Sequence, residues 1–74
     1  MNCKVKFFWD SEALVWVATS EELPSLALES GSFDALIEKV KYIVPELLYL
    51  EGINVDYCDL DFISQRMDRV RTVG

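Results

Sequence analysis

Seventy-four residues are enough for one folded domain, spanning 1–74, and too few for two. A chain of this size buries only about 60% of the surface that it exposes when unfolded. Half the residues are hydrophobic and 12% aromatic, which excludes a disordered tail, and a formal charge of −6 argues against nucleic acid as the main partner, because phosphate binding draws on clustered Lys and Arg.

In chain order, Cys3, Val5, Phe7 and Trp9 alternate with Asn2, Lys4, Lys6 and Phe8, the period of a strand with one face turned to a core. Asp10-Ser11-Glu12 is a polar break of hairpin length, and Ala13 to Thr19 resumes as a second strand that should pair antiparallel with the first. Leu14, Trp16 and Ala18 share one of its faces and Val15, Val17 and Thr19 the other, so both faces carry apolar groups. After the acidic loop Ser20-Glu21-Glu22-Leu23-Pro24, a short segment from Leu26 to Glu29 suits an edge or connecting strand.

The helical repeat then takes over. Phe33, Leu36, Ile37, Val40, Val44, Leu47 and Leu48 fall at steps of three and four and form one stripe on a helix. Ser32 is the N-cap candidate, and Asp34 in the first turn favours the positive end of the helix dipole. Pro45 interrupts the stripe, since it removes a backbone donor and crowds the Lys41 carbonyl, so a kink or a restarted final turn is expected. Gly52 marks the helix end. Beyond it, Ile53, Val55 and Tyr57 share one parity and Cys58, Leu60 and Phe62 the other, which calls for a bend or bulge near Tyr57-Cys58. Leu60 to about Val70 reads as a fourth strand, with Gln65 to Arg71 too polar for the core.

One sheet face and one helix stripe bury each other most economically in a two-layer α+β domain, β-β-β-α-β, with the long helix packed on an antiparallel sheet. Cys3 and Cys58 fit no metal-ligand spacing and the chain has no histidine, so both read as buried apolar side chains in a reducing compartment, a disulfide between neighbouring strands being the alternative. A secretory leader and a long apolar run are both missing, so a cytoplasmic location without membrane contact is expected.

The segments Phe7 to Leu26 (FFWDSEALVWVATSEELPSL) and Phe33 to Gly52 (FDALIEKVKYIVPELLYLEG) resemble a group of small bacterial proteins, DUF1902-like, of the HicB-like antitoxin superfamily. The marks are the WD turn before a VWVA strand, the LP step, the VPELL helix end before Gly, and DFISQRMDRV as closing strand. The resemblance implies a truncated ribonuclease H-like architecture and a domain that blocks a small basic RNA-cleaving toxin, HicA. HicB proteins also carry a C-terminal DNA-binding segment. This chain reaches Gly74 directly after its last expected strand, which puts operator binding in doubt, and it has Ser25 where relatives often have Gly, which alters only a turn.

Ribonuclease H-like catalysis gathers carboxylates around two metal ions about 4 Å apart. Asp10, Glu12, Glu21, Glu22, Asp56, Asp59 and Asp61 sit at strand ends and loops without a spacing that defines such a pocket, so neither a metal, a cofactor nor an enzyme activity is expected. The expected role is protein binding. Trp9 and Trp16 are its aromatic anchors or else core residues, and Glu21, Glu22 and Glu29 its charge complement to a HicA-like partner. Tyr42 and Tyr49 are expected on the helix flank. Phe62, Ser64, Arg66 and Arg69 on the last strand, with Arg71 beyond them, are assigned to homodimer formation rather than to nucleic acid. The alternative is a stand-alone domain that only self-associates.

Overall fold

A computed structural model describes residues 1–73. The chain forms strands β1 (Asn2–Asp10), β2 (Val15–Thr19) and β3 (Ala27–Ser30), then helix α1 (Phe33–Leu50), then strand β4 (Asp59–Gln65). The two-layer α+β arrangement expected from the periodicities is present. The sheet order is β3-β2-β1-β4, with β1 antiparallel to β2, β2 antiparallel to β3, and β1 parallel to β4. The sheet is therefore mixed rather than wholly antiparallel. Two hairpins leave β3 running in the direction of β1, and the single helix carries the chain back to the starting end, so β4 enters in that same direction.

The tight β1–β2 connection is built on Asp10, whose side-chain Oδ1 accepts from the backbone N–H groups of Glu12 and Ala13 at 3.0 and 3.2 Å. Its carbonyl accepts from Leu14 at 2.8 Å, and Leu14 takes the left-handed conformation (φ 57°) instead of starting the strand. Strand pairing then sets Trp9 opposite Trp16 and Phe7 opposite Ala18. Cys3, Val5, Phe7 and Ala18 are buried on the helix side, together with Leu23 and Leu26 from the β2–β3 loop.

Helix α1 starts as its sequence predicts. Ser32 Oγ accepts from the N–H of Ala35 at 3.3 Å, satisfying one of the free amides of the first turn. Leu36, Val40, Val44 and Leu48 are buried, with Phe33, Ile37, Ile43 and Leu47 packed beside them. At Pro45 the expected break is absent. The helix runs unbroken to Leu50: Pro45 and Lys41 are exposed, so water can hydrate the freed carbonyl, while the adjoining Val44 and Leu48 stay in the core. The C-terminus closes with a Schellman motif: Ile53 N–H donates to Leu48 C=O at 2.9 Å and Gly52 N–H to Tyr49 C=O at 3.1 Å, with Gly52 at φ 74°.

Two other expectations at the C-terminal end are corrected. Residues 53–58 are an irregular segment rather than a strand with a bulge, which removes the parity conflict, and β4 ends at Gln65 rather than near Val70. Residues 66–73 leave the body as an extended arm. The described chain measures 58 × 19 × 18 Å, and its radius of gyration of 14.8 Å exceeds the roughly 11 Å of a compact domain of this length.

Candidate protein interface

Three features of the surface bear on recognition, and each follows from where the strands lie. The first is the free edge of β4. Asp59 N–H donates to Met1 C=O at 2.8 Å, so in this extended strand Asp59, Asp61, Ile63 and Gln65 point their backbone groups toward β1. The intervening Leu60, Phe62 and Ser64 therefore aim theirs outward, where no strand among the described residues meets them. Phe62 and Ile63 are exposed on opposite faces of this edge.

The second is an aromatic row across the sheet. Trp9 meets Trp16 at 5.6 Å between ring centroids, Trp16 meets Phe33 at 4.9 Å, Phe33 meets Phe7 at 5.1 Å, and Phe7 meets Phe62 at 5.4 Å, all edge-on. The Arg66 guanidinium lies 4.2 Å over the Trp9 ring and bonds Asp68 at 2.8 Å, which fixes the root of the arm. Trp9 and Trp16 are half-buried: they pack on one another and on Phe33, and Arg66 covers part of what remains.

The third is a groove of about 750 Å³ between α1 and the segment 53–58, lined by Val44, Pro45, Leu48, Ile53, Val55 and Tyr57 among others. Helix α1 crosses above β2 and β3 and leaves Leu60 and Phe62 on β4 only partly covered, so the core continues into this groove.

Residues 2–72 match the family described as a domain of unknown function (DUF1902). The chain belongs to the DUF1902 family. The crystal structure of a hypothetical protein from the extremely thermophilic bacterium Thermus thermophilus matches this DUF1902 chain with a TM-score of 0.73 and 32% sequence identity, covering 97% of this chain and 100% of that one. No curated protein gives a significant match.

The acidic residues singled out by the DUF1902 sequence do not form one patch. Glu22 is engaged internally, its carboxylate accepting the Lys4 backbone N–H at 2.6 Å beyond the end of β2, where β1 has no strand partner on that side and only β4 on the other. Glu21 pairs with Lys6 at 3.6 Å, and both side chains are well exposed, so the pair contributes little stability. Glu29 stands apart on β3, opposite Val17 on the sheet face away from the helix. Phe62, Ser64 and Arg66 do fall together along β4 and its exit, whereas Arg69 lies on the arm. Tyr42 and Tyr49 project into solvent instead of resting on the flank. Among the described residues no three His, Cys, Asp or Glu side chains come together to hold a metal ion, and no helix is long and apolar enough to cross a membrane.

The groove is the feature that sequence reasoning missed. Its signal lay in Val55 and Tyr57, two large side chains in a segment too irregular for a strand.

Cys3 and Cys58 are free thiols 3.3 Å apart where β4 begins, Cys3 buried and Cys58 half-buried. Burial first, and then the neighbouring Cys58 thiol, push Cys3 from its ordinary 9.0 up to about 11. Between those values the native protein keeps a proton that the unfolded chain has lost, so stability is full below pH 9 and declines as pH rises toward 11. The decline attributable to Cys3 is on the order of 3 kcal/mol. Urea denaturation of wild type and Cys3→Val over pH 8–11 checks it: the variant loses stability less steeply, and equal slopes refute the assignment.

Proposed function

We propose that this chain is a non-enzymatic protein-binding module that joins to a second copy through β4 and resembles the toxin-neutralising domain of HicB-type antitoxins, its acidic body engaging a small basic polypeptide. The observation that supports this most is the unpaired outer edge of β4, with Leu60, Phe62 and Ser64 offering backbone donors and acceptors beside exposed aromatic and aliphatic side chains. A strand from a like copy satisfies those groups and covers Phe62, and a twofold axis through Phe62 sets Leu60 of each copy opposite Ser64 of the other. The net charge of −6 supports a basic third partner.

The internal engagement of Glu22 and the separation of Glu29 from Glu21 favour the second reading, a stand-alone domain whose binding is limited to its own kind. Gel filtration with a basic HicA-type protein encoded by a neighbouring gene separates the two. Under the first reading the proteins co-elute at low ionic strength and dissociate as salt is raised past about 0.5 M. If they elute apart at low salt while the chain itself runs as a dimer, the antitoxin-like reading is abandoned and the self-associating one kept.

A further inference from the structure

Arm 66–73 exposes three apolar side chains almost completely, Met67 at 86%, Val70 at 81% and Val73 at 98%. The groove between α1 and 53–58 lacks an apolar occupant of its own. We propose that the two belong together across copies: the arm of a second copy docks in the groove of the first, so that each groove is completed only in the dimer. This rests on the β4-joined dimer proposed above and deepens it.

Chain direction is the main argument. The arm leaves β4 at Gln65, whereas the groove lies at the other end, beside Cys58 and Leu60. Seven strand residues separate the two ends by about 20 Å, so an arm could reach its own groove only by reversing. In an antiparallel β4–β4 pair the partner's chain runs the opposite way, and the continuation of its strand passes alongside residues 54–58 without any turn. Arg66 holds the arm's root on Trp9 in this extended course.

The spacing of the arm agrees. Met67, Val70 and Val73 recur every third residue, which in an extended chain of three residues per turn sets all three on one side. Arg69 and Arg71 then lie off that side, Asp68 being already engaged by Arg66. Their charge is matched by Asp56 in the groove lining and Asp59 beside it, against a single lysine, Lys41.

Dimer dissociation constants from sedimentation equilibrium test this on the full chain. The set is wild type, the arm variant M67S/V70S, the groove variant V55S/Y57S, and all four substitutions combined. Each pair is expected to weaken the dimer at least tenfold. The combined variant is expected to be little weaker than either, because both pairs remove the same contact. The arm residues are solvent-exposed in the single chain, so an unchanged circular dichroism spectrum of M67S/V70S confirms that folding is intact. A wild-type dimer that M67S/V70S does not weaken, or effects that multiply in the combined variant, overturns the arm docking and leaves the strand pairing standing. A wild type that stays monomeric at millimolar concentration overturns the strand-joined dimer and the docking with it.

Discussion

Phe7→Ala is expected to lose about 3–5 kcal/mol of folding stability, the largest single-residue effect in this chain. Phe7 is 1% exposed, lies within β1, one of the two interior strands, and packs edge-on against Phe33 of α1 and Phe62 of β4. Removing the ring leaves a void where the helix, β1 and β4 meet, and neighbours pinned by strand pairing and by a capped helix cannot collapse into it. At about 0.05–0.15 kcal/mol per residue the whole domain has only about 4–11 kcal/mol to lose. The variant is therefore expected to be largely unfolded by mild heating. Phe8→Ala is the control: the adjacent phenylalanine lies on the opposite face, 44% exposed, and its removal is expected to change stability by less than about 1 kcal/mol. Urea midpoints of the two variants measure the difference, and comparable losses would refute the burial asymmetry between the two faces of β1.

Ser64→Pro is expected to convert a β4-joined dimer to monomer, raising the dissociation constant at least a hundredfold, while the single chain stays folded. The asymmetry arises from strand geometry. Ser64 aims its N–H outward, so proline removes nothing from the ladder with β1, whose bonds come from Asp61, Ile63 and Gln65. In a twofold strand pair the same substitution removes two backbone hydrogen bonds, one per copy, and sets a ring where the partner strand must approach. Ile63→Pro is the contrasting variant, because it attacks the β1–β4 ladder and should destabilise the fold itself. Sedimentation equilibrium and thermal melts of both variants decide the matter. A Ser64→Pro protein that dimerises as tightly as wild type places the association elsewhere on the molecule.

Most of the architecture was legible because it is written in periodicity. The alternation through Phe7 and Trp9 and the stripe from Leu36 to Leu48 each survive as a buried face, and Ser32 and Gly52 bound the helix by local chemistry that needs no tertiary context. The direction of β4 was also available by counting reversals, two hairpins and one helical crossover, but apolar alternation is identical in parallel and antiparallel strands and carries no sign of it. Pro45 misled only as a point of helix breakage, and for a different reason. Propensity takes the loss of a hydrogen bond at full weight, whereas a proline on the wet side of an amphipathic helix leaves its carbonyl to water.

The candidate surface was less legible. Which carboxylates are free depends on where the chain returns: Glu22 is spent on Lys4 because β2 stops short of that end of β1, a fact no local pattern records. The edge position of the β4 residues was anticipated because it follows from the element order, and the groove was missed because it forms between elements distant in sequence, Val44 and Leu48 on one side and Val55 and Tyr57 on the other.

The parallel union of β1 with β4 also bears on how the molecule is made. Asn2 waits for Asp59, so β1, made before the other three strands, is among the last to be sealed on both sides. The nascent chain can form its hairpin with edge-on tryptophans and wind its helix early, but closing the long loop between β1 and β4 is expected to come at the end and to set the pace of folding. Until then the flank of β1 that carries Val5 and Phe7 lies open. Slow translation would lengthen that exposure, and the tendency to aggregate during synthesis should be judged on β1 rather than on any strand exposed in the finished protein.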